Sequence, residues 1–174
     1  MEEVAVSLNE SLGLVGGIAA LALAAIGSAL GTGAAGAAAI GAWKRCYAQG
    51  KAAPFMLLTF VGAPLSQTIY GIVLMFTMRG IVSADYPWQG LLAAGIFAGV
   101  GMGMSAWLQG RAGAAGSDAL AETGEGFTNY LAALGIIETV AIFVMVFTML
   151  ALPGQAQEEA ELDNGDAPIE AVAE

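Results

Sequence analysis

Apolar positions in this chain do not alternate with polar ones at the strand period or at the period of a half-buried helix; they run on almost unbroken. Uncharged stretches lie between Glu10 and Lys44, between Lys51 and Arg79, and between Asp85 and Arg111. A fourth, between Glu125 and the acids that begin at Glu158, is interrupted only by Glu138. Each supplies the ~20 predominantly apolar residues that a helix needs to cross a hydrocarbon core of ~30 Å. The pattern predicts an all-α membrane protein with four transmembrane helices. Its expected organisation is a short N-terminal segment over 1–10, a first helical hairpin over 11–79, a second over 80–152 and a tail over 153–174. The first run is preceded by Glu2, Glu3 and Glu10 rather than a basic segment and is longer than a signal core, so it is expected to remain as a span.

The four spans divide into two kinds. The first and third are rich in Gly and Ala, with Gly27 and Gly31, and Gly95, Gly99 and Gly103, spaced four apart on one face. Small faces let helix backbones approach closely in lipid. The second and fourth carry bulky Leu, Ile, Val, Met and Phe. Two whole small-residue helices exceed what one four-helix bundle needs, which predicts a crowded inner layer shared among several chains.

The halves also resemble one another. "QTIYGIVLMFTM" and "ETVAIFVMVFTM" align at one constant offset, pairing Thr68 with Thr139, Val73 with Val144, and the terminal Phe-Thr-Met of each. Gln67 stands where Glu138 stands. At a second offset Ser28, Ala29, Gly33 and Gly36 align with Ser105, Ala106, Gly110 and Gly113. The expected fold is therefore two duplicated hairpins.

Composition agrees: 57% of the 174 residues are hydrophobic and 11% charged, too little polar surface for a soluble globule. The net charge of -10 is concentrated, since seven of the fifteen acids (Glu158, Glu159, Glu161, Asp163, Asp166, Glu170 and Glu174) lie after Pro153. That segment reads as a disordered, solvated tail. Lys44, Arg45 and Lys51 share one short loop without an acid, which predicts that this loop is cytoplasmic and both termini are non-cytoplasmic. The single cysteine, Cys46, excludes an intrachain disulfide, and the absence of histidine removes imidazole chemistry. No nucleotide-binding loop, nucleophile with its base or carboxylate cluster appears, so the chain alone is not expected to be an enzyme.

Glu138 is then the residue that needs a reason. A charge at the centre of a membrane helix costs ~2.5–3.5 kcal/mol on insertion scales. The Leu, Ile, Val and Phe around it, at about -0.3 to -0.6 kcal/mol each, outweigh that cost, but the acid must still be neutral or paired in the bilayer. It is expected to take a proton or a metal cation, or the charge of another subunit. Helix two offers neighbours: Ala63, Ser66, Gln67 and Tyr70 fall at i, i+3, i+4 and i+7 on one face. Pro64 among them disturbs the helix and loosens backbone carbonyls. Gln109, in "WLQGR", adds another long amide. One carboxylate with several neutral oxygens suits a monovalent ion better than Ca²⁺.

"IGSALGTGAAG", "PLSQTIYG", "QGRAGAAG" and "IETVAIF" are similar to the four helix signatures of the rotor-ring proteolipid, subunit K or c, of V-type and archaeal-type ATPases. The resemblance covers roughly residues 11 to 152. It implies a multi-chain homo-oligomeric ring in which the ion-carrying carboxylate is Glu138. Carried over from sodium-pumping members, the Na⁺ ligands would be Glu138, Gln67, Ser66 (replacing a Thr), Gln109 and the Ala63 backbone carbonyl, with Tyr70 bonding the glutamate. H⁺ is the alternative ion, and no organic cofactor is implied. The implied partners are a stator membrane subunit with an essential arginine, a central-stalk subunit at the cytoplasmic loops, and membrane lipid; no nucleic acid is expected. The implied location is the plasma membrane of a prokaryote. One acid per doubled hairpin means fewer ions per ATP and a steeper attainable gradient, which favours a pump. Two other readings are open on the residues: a small proton-coupled multidrug exporter with one membrane glutamate, and a structural membrane bundle.

Overall fold

The computed structural model describes residues 2–82 and 87–152. The acidic tail expected over 153–174 lies outside the described residues. Helices run over Glu2–Ala48 (α1), Leu57–Gly62 (α2), Ser66–Ile81 (α3), Trp88–Thr123 (α4) and Phe127–Ala151 (α5). A 3₁₀ turn, Ala63–Leu65, links α2 to α3. Four spans among the described residues are long and apolar enough to cross a membrane: Leu8–Ala48, Leu57–Ile81, Trp88–Thr123 and Phe127–Ala151. The protein is an integral, multi-pass, all-α membrane protein.

Pro64 explains the change of helix type in the second span. Lacking an N–H, it cannot bond the carbonyl four residues back, and its ring crowds that carbonyl. The chain tightens for one turn, in which the Ser66 N–H bonds the Ala63 carbonyl, and then resumes as α3. At the other hairpin, Gly124 (φ 74°) caps α4 in the left-handed region with its N–H on the Leu120 carbonyl at 2.8 Å. Gly126 (φ 87°) then turns the chain into α5.

α1 and α4 run parallel and form the closest helix pair. Gly27 lies against the backbone of Gly103, and Gly31 against Ala106 and Gly110, so closely that a Cβ on any of these glycines would overlap the opposing main chain. In lipid, where apolar burial gives helices little reason to associate, such contact supplies the packing. The α2–α3 span leans on α1, and α5 on α4. α5 is the least buried of the four spans and α4 the most.

The small-residue helices are also the long ones. α1 has 47 residues and α4 has 36, about 70 and 54 Å of helix, against about 38 Å for the 25-residue spans. α1 already includes Glu2 to Glu10 and reaches into the basic stretch as far as Ala48. There the Arg45 guanidinium pairs with Asp118 of α4, and the Trp43 ring N–H donates to the Pro54 carbonyl at 2.8 Å.

Candidate ion-binding site

Among the described residues the bundle has two apolar clusters with a polar layer between them. One cluster is built around Ala20, Ala24, Leu74, Met78, Met102 and Ala141; the other around Ala39, Ala42, Leu57, Phe60, Leu120 and Leu134. Between them lie Gln67 and Gln109, both fully buried, and Glu138, near the middle of α5. A buried polar group without a partner costs several kcal/mol in hydrocarbon, so these side chains have to satisfy one another.

They do so in a chain that crosses three spans. The Ser66 Oγ lies 3.0 Å from the Ala63 carbonyl oxygen and 3.2 Å from the Gln67 Oε1. The Gln67 Nε2 donates to the Gln109 Oε1 at 2.9 Å. The Gln109 Nε2 in turn donates to the Leu134 carbonyl at 3.1 Å and to the Glu138 Oε2 at 3.3 Å. The Tyr70 hydroxyl donates to the Glu138 Oε1 at 2.6 Å. Both oxygens of one carboxylate are therefore held, one from α3 and one from α4.

Each position has a local cause. The turn at Pro64 places the Ala63 carbonyl beside the Ser66 hydroxyl, three residues on. Ser66 and Gln67 open α3, and Tyr70, one turn after Ser66, comes to the same face. Gln109 lies on the side of α4 that meets α5, as does Ser105, whose Oγ donates to the Ile137 carbonyl at 2.8 Å. These two bonds fix the α5 backbone at Leu134 and Ile137, in the turn that leads into Glu138. Neighbouring Ile136, Thr139 and Val140 face outward, so the carboxylate reaches back into the bundle from an exposed helix.

All six residues singled out from the sequence lie in one network: Ala63, Ser66, Gln67, Tyr70, Gln109 and Glu138. Two further groups that tie α5 to α4 beside the network do not stand out in the sequence. The Leu134 carbonyl carries no side-chain signal, since any backbone carbonyl can accept. Ser105 has one, its alignment with Ser28, but the alignment does not say which carbonyl it meets. Chemically, five oxygens (Ala63 O, Ser66 Oγ, Gln67 Oε1, Gln109 Oε1 and a Glu138 Oε) belong to groups linked by short bonds, with one formal negative charge among them. That donor set suits a hard monovalent cation. A protonated Glu138 would fit equally as one more link in the hydrogen-bond chain.

Four apolar spans around one hydrogen-bonded mid-helix glutamate define an ion-carrying type of membrane subunit. The ATP synthase C-subunit family matches residues 92–151, which include nearly all of α4 and all of α5. The A-type ATP synthase subunit K of Methanocaldococcus jannaschii is 31% identical over 162 residues, spanning 93% of this chain and 68% of that protein. The chain belongs to this rotor-ring proteolipid family.

Proposed function

We propose that this chain is one of several identical subunits of a membrane ring that carries Na⁺ by reversible binding at Glu138, coupled through rotation to ATP hydrolysis or synthesis by partner subunits. The observation that carries the reading is the closure of Tyr70 and Gln109, the latter bonded in turn by Gln67, on a single mid-membrane carboxylate. In the sodium-loaded form Glu138, Gln67, Ser66, Gln109 and the Ala63 carbonyl are the ligands, and Tyr70 holds the carboxylate in place.

The chemistry of the bilayer then dictates the cycle. A bare carboxylate facing lipid is costly, so only the ion-neutralised subunit turns through the hydrocarbon. Where the ring meets the stator, an arginine of that subunit replaces the ion as counter-charge. Loading and unloading take place on opposite faces, and rotation and transport are therefore coupled. The parallel course of α1 and α4 supports an origin in two duplicated hairpins, 11–79 and 80–152, with Gln67 at the position of the second acid. The Lys44, Arg45 and Lys51 end is the cytoplasmic, stalk-facing one, and both termini lie on the other side.

Particle imaging of the purified subunit in native lipid tests this directly. A closed ring of copies with density among Glu138, Gln67 and Gln109 is expected; a dimer that binds organic cations would replace the reading with that of an exporter.

A further inference from the structure

α1 and α4 touch at the height at which the two halves of the sequence align. Gly27 lies against Gly103, and Gly31 against Ala106 and Gly110, while the alignment pairs Ser28 with Ser105 and Gly33 with Gly110. Aligned positions of the two helices therefore stand side by side. The operation that carries α1 onto α4 is a rotation about an axis along the helices, with almost no shift along them.

Applied once more, the same operation carries the contact out of the chain. Met104 aligns with Gly27 and Ile26 with Gly103, so the counterpart of the Gly27–Gly103 contact is Met104 facing Ile26 of a second copy. In the same way Leu108 faces Gly33, and Ala93 faces Ile18. All six are exposed, whereas the aligned residues Gly27, Gly31, Gly103 and Gly110 are buried. A Cβ at Gly33 meets nothing within 4 Å. Apolar exposure alone gives helices in lipid little reason to associate, but the two stripes also end in opposite charges. Glu122 aligns with Arg45 and so stands at the height of Lys44 in the second copy. Within the chain Arg45 is taken by Asp118, while among the described residues neither Lys44 nor Glu122 forms an ion pair.

We propose that copies of this chain join through a second, wider version of the α1–α4 contact, in which α4 of one copy packs on α1 of the next, centred on Met104 and Ile26 and ending in a Glu122–Lys44 ion pair. This rests on the ring reading and names the surface that closes the ring. Because the operation has almost no shift along the helices, its repetition closes on itself and does not climb into a filament. The two joints differ in width. Glycine meets glycine within the chain, whereas Met104 meets Ile26 between copies, which sets the axes toward ~8 Å in the first and ~10 Å in the second. The assembly is therefore one of tight helix pairs separated by looser seams, with Leu108 of each seam lying over the bare Gly33 of the next copy.

Cysteine cross-linking of the full chain in membranes tests the joint, in a Cys46→Ser background. Axes ~10 Å apart leave facing Cα atoms about 5–6 Å apart, within the span of a disulfide. Ile26→Cys combined with Met104→Cys should, on oxidation, give a ladder of linked copies running up to the whole ring. Both positions face away from the α1–α4 seam, so no link can form inside one chain. Lys44→Cys combined with Glu122→Cys should give the same ladder from the basic end, and serves should the first pair fail to assemble. Ile26→Cys combined with Glu122→Cys, about 27 Å apart in height, should give none. A ladder that stops at dimers, links from the mismatched pair, or no links from either matched pair in rings that particle imaging shows intact would overturn the joint and leave the ring reading standing. Imaging that finds no ring at all would remove both.

Discussion

Tyr70 and Glu138 share the shortest hydrogen bond of the site, the phenolic O–H of α3 donated to the Glu138 Oε1 at 2.6 Å, while the other carboxylate oxygen accepts from Gln109 of α4. The acid thus belongs to α5 by sequence and to the α3–α4 seam by contact. Because α5 is the most exposed span, a carboxylate released from these two bonds has the lipid-facing surface beside it. Holding and releasing Glu138 is therefore a matter of two hydrogen bonds, both donated by side chains of other helices.

Tyr70→Phe removes one of them and leaves the ring in place. A hydrogen bond to a charged group contributes ~1.5–3 kcal/mol, part of which the site recovers by relaxing. Ion affinity should fall roughly ten-fold, with the four spans still folded, as read by equilibrium binding of ²²Na⁺ to the purified subunit ring. Unchanged affinity would mean that Tyr70 packs beside the site without holding it.

Glu138→Gln keeps size and neutrality but cannot exchange a cation. Its amide oxygen can still accept from Gln109 and its NH₂ can donate to the Tyr70 hydroxyl oxygen, so the assembled ring should be recovered in normal yield. Ion transport in vesicles should be lost, and ATP hydrolysis by the coupled complex should fall with it. Normal pumping by this variant would remove Glu138 from the mechanism.

Helix number and the partners of Glu138 were legible for one reason: lipid punishes unpaired polar groups, so a polar residue in an apolar run is a strong signal. Gln67 and Gln109 stand out in their spans as Glu138 does in its own. Pro64 likewise announces a break, found as the 3₁₀ turn Ala63–Leu65. What stayed hidden were backbone acceptors and contacts between distant ends. The Leu134 carbonyl looks like every other carbonyl until α4 is docked against α5. Arg45 and Asp118 are both ordinary surface charges in sequence, and only the parallel packing of α1 on α4 makes them a pair. The extension of α1 through Glu2 to Glu10 was also not legible, because acids near an N-terminus read equally as a helix's first turns or as a preceding segment.

Gly27 and Gly33 separate close packing from mere small size. A Cβ at Gly27 would overlap the Gly103 backbone, whereas one at Gly33 would meet nothing within 4 Å in the subunit. Gly27→Ala must therefore push α1 from α4, at a cost of about 1–3 kcal/mol. Gly33→Ala should match or slightly exceed wild-type stability, since Ala gains up to ~1 kcal/mol over Gly inside a helix. Unfolding of the dissociated subunit in mixed detergent micelles, followed by helical circular dichroism, should rank them Gly33→Ala, wild type, Gly27→Ala. The reverse order would refute the close α1–α4 contact.

The identity of the ion depends on how many oxygens surround Glu138. A proton needs one carboxyl and a bond or two to hold it, whereas Na⁺ must recover from the protein what it loses on leaving water. Ser66 Oγ, Gln67 Oε1, Gln109 Oε1 and the Ala63 carbonyl offer four oxygens beyond the carboxylate, more than a proton uses. Carbodiimides attack protonated carboxyls, and Na⁺ bound at Glu138 displaces that proton. Labelling of Glu138 at fixed pH should therefore slow as Na⁺ rises, with K⁺ far less effective because it is larger than the site's closely spaced oxygens accommodate. Gln109→Leu should weaken the Na⁺ protection while leaving Glu138 open to labelling, since the amide is a ligand and not the target. Ser66→Ala should do the same to a smaller degree, having lost one of five oxygens and none of the charge. Labelling that ignores Na⁺ from micromolar to well above physiological concentration, at several pH values, would leave a proton as the ion carried and the amides as its hydrogen-bonding scaffold.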